Sequence, residues 1–119
     1  MLKKNISYVD YDGVKREEVC YFNLNKAEIA EMELVTEGGL KAYLEKIVEE
    51  RDAKKIVETF KELIIKSYGV KSEDGRRFIK TDKLREEFVQ TEAYSELFVE
   101  LATDADAAAA FVNGIIPQV

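Results

Sequence analysis

The chain has 119 residues and a mass of 13.6 kDa, with 46% apolar and 35% charged residues, the size and composition of one folded domain rather than a disordered chain. Eighteen Lys and Arg against 24 Asp and Glu give a net charge of −6 and a pI near 4.8, which argues against a phosphate backbone as the main partner. The absence of histidine and the presence of one cysteine, Cys20, exclude disulfide scaffolds, Cys/His zinc sites and histidine-based acid–base catalysis.

The first 24 residues read as a β-hairpin. Ile6-Ser7-Tyr8-Val9 and Val19-Cys20-Tyr21-Phe22 flank Asp12-Gly13, a strong signal for a two-residue type I′ turn. That turn would pair Tyr11 with Val14, Asp10 with Lys15 and Ile6 with Val19. A lone two-stranded ribbon is marginal in water, so the hairpin must pack on the helices or borrow a neighbouring chain's strand. Next comes a complete helix start: Asn25 and Glu28 can form a reciprocal capping box, with Leu24 and Ile29 in the staple positions, which predicts a helix over about 26–34. A weaker start at Thr36, where Gly39 replaces the reciprocal Glu, leads into a helix over about 37–51. Its stripe is Leu40, Tyr43, Leu44, Ile47 and Val48, at helical spacing. Asp52 can start a helix over about 53–68, with Ile56, Val57, Phe60, Leu63, Ile64 and Tyr68 on one face and Gly69 as its C′ residue.

Residues 70–80 are polar and contain a second Asp-Gly pair, predicting a small hairpin or an ordered loop. Thr81, Thr91 and Thr103 then read as N-caps of helices over about 82–90, 92–102 and 104–114, and Pro117 follows the last of them. The fold class is therefore α+β: an N-terminal β-hairpin followed by a mostly α-helical bundle of about five to six short helices. A single domain, 1–119, is expected, with the hairpin in 1–24, helices in 25–69, the hairpin or loop in 70–80 and helices in 81–116. Met1 to Ile6 lacks the apolar run of a signal peptide, and no window approaches the ~18 apolar residues of a membrane span. The expected compartment is a cytoplasm.

No residue pattern points to a reaction. Glu49-Glu50 and Glu86-Glu87 are adjacent in sequence, and neighbours on a helix diverge by about 100° instead of converging on one substrate. Gly38-Gly39 lacks the rest of a phosphate loop, and no calcium-loop spacing occurs. Cys20, in an alternating strand with no flanking cation, reads as a small buried apolar residue and not a reactive thiol. Lys71, Arg76, Arg77 and Lys80 form the one basic cluster, interrupted by Glu73 and Asp74, and read as a solvated turn. No catalytic residue, cofactor or metal is expected.

Charge and apolar character coincide at the C-terminal end. Residues 91–119 carry five carboxylates and no basic side chain, together with two apolar stripes. One is Ala93, Tyr94, Leu97, Phe98 and Leu101; the other is Ala105, Ala108, Ala109, Val112 and Ile115. Val99, Phe111 and Ile116 fall beside or outside them. These residues either complete the core or leave a groove for a basic amphipathic helix of a partner, rimmed by carboxylates. The candidate partner-binding residues are Tyr94, Leu97, Phe98, Leu101, Phe111, Val112 and Ile115.

Particular words extend this reading. Tyr11-Asp12-Gly13-Val14 followed by Tyr21-Phe22-Asn23-Leu24-Asn25-Lys26-Ala27-Glu28 resembles the opening of tail assembly chaperones from long-tailed, non-contractile phages of Gram-positive hosts. Ser67-Tyr68-Gly69-Val70-Lys71, Arg77-Phe78-Ile79-Lys80, the segment from Phe88 to Phe98, and Phe111 to Pro117 resemble that family's central and C-terminal signatures. The resemblance implies a non-enzymatic protein that binds the tape measure protein, keeps it soluble and helps recruit tail tube subunits. It further implies a host-cytoplasmic protein absent from the mature virion, commonly accompanied by a longer frameshifted form of itself. Beside the resemblance, the marginal hairpin leaves room for a homo-oligomer, and the acidic charge and the lack of a long apolar window lead to the expectation of no nucleic-acid and no membrane partner. The alternatives are a structural virion component, such as a head–tail joining or tail protein, and a small phage regulatory binding protein. The limited strand content argues against a tube subunit.

Overall fold

The computed structural model describes residues 1–35, 42, 49 and 53–116. The helix expected over about 37–51, with its Thr36 cap and its Leu40 to Val48 stripe, lies outside the described residues apart from positions 42 and 49, as do Gly38-Gly39, Glu50, Asp52 and Pro117.

Alternating residues build the first hairpin. Strands β1 (Leu2–Val9) and β2 (Lys15–Phe22) pair antiparallel, Leu2 opposite Phe22 and Val9 opposite Lys15. The register differs by one residue from the sequence expectation: Ile6 faces Glu18, not Val19. The turn is the cause. Gly13 N–H donates to Asp10 O at 3.0 Å and Asp10 N–H to Val14 O at 2.9 Å, and Gly13 sits at φ 81°. Tyr11, Asp12 and Gly13 thus make a three-residue loop ending in a left-handed glycine, the bulged class of hairpin. The Asp10 carboxylate selects it by accepting the Asp12 and Val14 N–H groups at 2.9 and 3.0 Å and pairing with Arg16 instead of Lys15.

The capping box forms as its residues predict: Asn25 N–H donates to Glu28 Oε1 at 3.0 Å and Glu28 N–H to Asn25 Oδ1 at 2.8 Å, opening helix α1 (Lys26–Val35). Helix α2 (Ala53–Ser67) buries Phe60, Leu63, Ile64 and Ser67, while Val57 stays 41% exposed. It passes directly into strand β3 (Tyr68–Lys71). Gly69 is consequently no helix C′ residue. It lies in β3 opposite Tyr21, where a Cβ would come within 2.7 Å of Phe78 Cε2 and 2.9 Å of Ile79 O; close approach, not a left-handed conformation, requires glycine here.

Residues 70–80 form the hairpin foreseen as one option, with β4 (Phe78–Ile79) antiparallel to β3 and Gly75 at φ 73° in the turn. Strand β3 also pairs with β2, giving one four-stranded sheet in the order β1-β2-β3-β4. The hairpin therefore finds its third strand within its own chain. Lys80 differs from its basic neighbours: its Nζ lies 2.8 Å from both Glu28 carboxylate oxygens and 2.7 Å from Asn23 O. Burial holds the Lys80 ammonium below its ordinary pKa, the Glu28 carboxylate acting in the opposite direction. Arg76 and Arg77 remain exposed.

Three helices complete the described chain: α3 (Asp82–Val89), α4 (Glu92–Thr103) and α5 (Ala105–Ile115). Thr81 and Thr91 cap α3 and α4, accepting from Leu84 N–H and Tyr94 N–H. Thr103 does not cap α5. It closes α4, its hydroxyl donating to Val99 O at 2.7 Å, and Asp104 is the cap, accepting from Asp106 and Ala107 N–H at 3.0 and 3.1 Å. Asp forms the stronger cap because its acceptor is a full carboxylate at the positive end of the helix.

Helix α4 is central. It packs on β1, α2, α3 and α5 through Ala93, Leu97 and Leu101. The even-numbered face of the hairpin, with Ile6, Cys20 and Phe22, closes the core from the other side.

Candidate partner-binding surface

Aromatic side chains at helical and strand spacing link the core to the surface. Phe22, fully buried at the end of β2, has ring centroids of Phe111, Tyr68 and Phe88 at 5.4, 5.8 and 5.9 Å. Phe88 stacks on Tyr68 at 4.0 Å and meets Tyr94 edge-on at 5.8 Å, and Tyr94 lies 6.1 Å from Phe98. The row thus ends at Tyr94 and Phe98, both half-buried against the core. Partial burial pushes the Tyr94 hydroxyl pKa up.

The seven candidate residues divide accordingly. Leu97, Leu101, Phe111, Val112 and Ile115 are each at most 8% exposed and belong to the chain's own core, so in this conformation they support the surface from beneath. Tyr94 and Phe98 are the two that reach it. On α5 the inward face is Ala108, Phe111, Val112 and Ile115, and Ala105 and Ala109, expected on the stripe, are exposed. Phe111, expected beside the stripe, lies on the inward face, one turn on from Ala108 and one turn before Ile115.

Val99 adds to the exposed apolar surface. It is 53% exposed on the outer side of α4, one turn from Glu96 and next to Glu100. Its position outside the stripe was the sequence signal for this exposure. Glu100 is partly neutralised, since Lys4 of β1 reaches its Oε1 at 2.8 Å. The exposed Glu96, Asp104 and Asp106, with half-exposed Glu92, form a carboxylate fringe along α4 and the start of α5.

The remaining sites are structural. Cys20 is buried in β2, and burial, with the Glu18 charge in second place, pushes its thiol pKa from 9.0 to about 11; a thiol so far from ionisation at neutral pH is a poor nucleophile. A shallow depression of about 360 Å³ between α2 and α3 is lined by Glu58, Lys61, Glu62, Ile65, Lys66 and Arg85, charges of both signs. Among the described residues no group of three or more cysteine or carboxylate side chains gathers to hold a metal ion, and no helix is long and apolar enough to cross a membrane.

Compared with known families, residues 1–119 match the family described as "Phage tail assembly chaperone". This chain belongs to the phage tail assembly chaperone family. No curated protein and no solved structure matches it. Membership supports a tail assembly chaperone role, which calls for a surface that holds another tail protein and not for a reaction centre. In this chaperone the exposed end of the aromatic row lies near the carboxylates of α4 and the start of α5 in sequence.

Proposed function

We propose that this chain is a non-enzymatic chaperone that binds the tape measure protein of a long-tailed phage, keeps it soluble in the host cytoplasm and helps recruit tail tube subunits, and that it is absent from the mature virion. Residues 1–119 act as one domain, accompanied by a longer frameshifted form and by further copies of the chain. The family match over the whole of 1–119 carries this reading. The surface chemistry supports it: a tape measure protein presents long apolar helical stripes, and half-buried aromatic side chains with acidic neighbours can cover such stripes reversibly. Tyr94 and Phe98 make the contact, with Val99 beside them, while Leu97, Leu101, Phe111, Val112 and Ile115 hold them in place.

Co-expression with the tape measure protein of the same phage tests the proposal. The expected result is a higher soluble yield of that protein and co-purification of the two chains. Phe98→Asp should keep its helical circular dichroism and lose co-purification. Unchanged yield without co-purification, or recovery of the chain in stoichiometric amounts from finished particles, would overturn the reading. A folded Phe98→Asp chain that still co-purifies would instead move the contact surface away from α4.

A further inference from the structure

We propose that the outer face of the β-sheet, centred on Tyr21 between Lys3 and Lys71, is a second docking surface and takes an acidic, aromatic-bearing segment of a partner protein. It is separate from the α4 surface and does not depend on it. Alternation decides which residues line this face. Ile6, Cys20 and Phe22, at even positions of the hairpin, enter the core, where the helices supply Phe88, Leu97 and Phe111. The odd positions turn outward: all four in β1, and Lys15, Glu17 and Val19 in β2, are exposed. Strands β3 and β4 extend the face, with Gly69 opposite Tyr21 and Phe78 opposite Lys71.

The outer face of such a sheet is ordinarily polar. This one carries Val9 and Val19, 51% and 46% exposed, together with half-buried Tyr21 and Phe78, side chains of the kind that partners contact.

Charge selects the partner. The chain as a whole stands at −6, yet this face holds Lys3, Lys15 and Lys71 against the single carboxylate of Glu17. None of these lysines is in an ion pair among the described residues. Around the rim, Asp10 is held by Arg16 and Glu28 by Lys80; Glu73 and Asp74 in the β3–β4 turn are matched by Arg76 and Arg77, and Asp12 stands at the tip. Glu18 belongs to the other face, where the Tyr8 hydroxyl donates to it.

The lysines are also placed. Lys71 Nζ lies 4.7 Å from the centre of the Tyr21 ring, and Lys3 is directly opposite Tyr21 on β1, a pairing that sets Cβ atoms about 5 Å apart. Two ammonium groups thus flank one phenol, whose hydroxyl has no hydrogen-bond partner among the described residues. A carboxylate entering here gains two cations and an O–H donor, and an apolar side chain next to it meets Val19 or Phe78. A nucleic-acid strand would also use lysines and aromatic rings, but three lysines on an acidic chain are too few to hold a continuous polyanion, whereas a short acidic segment needs no more.

The isotope-labelled full chain, titrated with a synthetic peptide of Glu, Phe and Ser, tests this by NMR. The amide signals of Val19, Tyr21, Gly69 and Lys71 should move most, and the affinity should fall at least about tenfold between about 50 and about 500 mM salt. The same peptide with Lys in place of Glu should leave them unmoved. Lys71→Glu should keep its circular dichroism and bind the acidic peptide at least about tenfold more weakly; Lys3→Glu, at an exposed edge position, takes its place if that variant fails to fold. No binding, shifts confined to other elements, affinity indifferent to salt, undiminished binding by the folded variant, or tighter binding of an oligothymidine strand would each overturn the proposal. So would loss of tape measure co-purification in the same folded variant, which would merge the two surfaces into one. A wild-type chain that binds the acidic peptide but not the tape measure protein would sustain this inference and remove the proposed function.

Discussion

Phe22 sits where several elements of the described core meet. Its ring is fully buried and lies within 6 Å of Tyr68, Phe88 and Phe111, so it ties β2 to β3, α3 and α5 at once. Phe22→Ala removes all three contacts and leaves a cavity the neighbouring elements cannot fill; a loss of about 3–5 kcal/mol is expected from chemical denaturation. Cys20 makes the molecule sensitive to alkali. Its thiol has a folded-state pKa near 11 against 9.0 when unfolded, so the folded chain holds the proton longer. The corresponding stability is complete below about pH 9 and is lost as pH rises toward 11. Tyr8 acts in the same direction at higher pH, pushed to about 12 chiefly by its hydrogen bond to Glu18, while Lys80, depressed by burial, opposes both. Urea midpoints measured at about pH 8 and about pH 10.5 should fall for the wild type and fall less for Cys20→Ala.

At the scale of elements, helix starts hold the clearest contrast. Asp104→Ala should cost about 0.5–2 kcal/mol, because α5 loses the acceptor for two N–H groups. Thr103→Ala, which removes only a hydroxyl bonded back onto Val99 O, should cost less than about 0.5 kcal/mol; thermal unfolding of both variants checks the assignment. This boundary marks where sequence reasoning reaches its limit. Thr103 and Asp104 are both good caps, and the choice between them rests on where α4 ends against the core. The Asn25/Glu28 box, the Thr81 and Thr91 caps and the α4 stripe were legible because short-range patterns alone dictate them. The hairpin register was not, because Asp10 can satisfy its carboxylate with the Asp12 and Val14 N–H groups only in the longer loop. The role of Gly69 depended on Phe78, nine residues away in sequence, whose ring would lie only 2.7 Å from a Cβ at this position. For the candidate surface, composition located the acidic, apolar C-terminal end, yet only packing separates Tyr94 and Phe98 from the five residues that support them.

At the scale of the whole molecule, distant parts of the chain hold one another. Glu28 caps its own helix and grips Lys80, 52 positions on, while Lys80 also reaches Asn23 O. Glu28→Ala breaks the box and strands a half-buried ammonium, and should lower stability by about 1–3 kcal/mol in a denaturant titration. Lys80→Met, which removes the charge together with its need for a partner, should cost less. The longest link joins the beginning to the end: Leu24 N–H donates to Ile115 O at 2.8 Å, and Gly114 lies so close to Leu2 that a Cβ would come within 2.8 Å of its Cδ1. During synthesis the first strand must therefore wait, unfinished, for the last helix to leave the ribosome. Any chain released before α5 is made would display Phe22 and Leu24 to solvent, a natural target for proteolytic clearance.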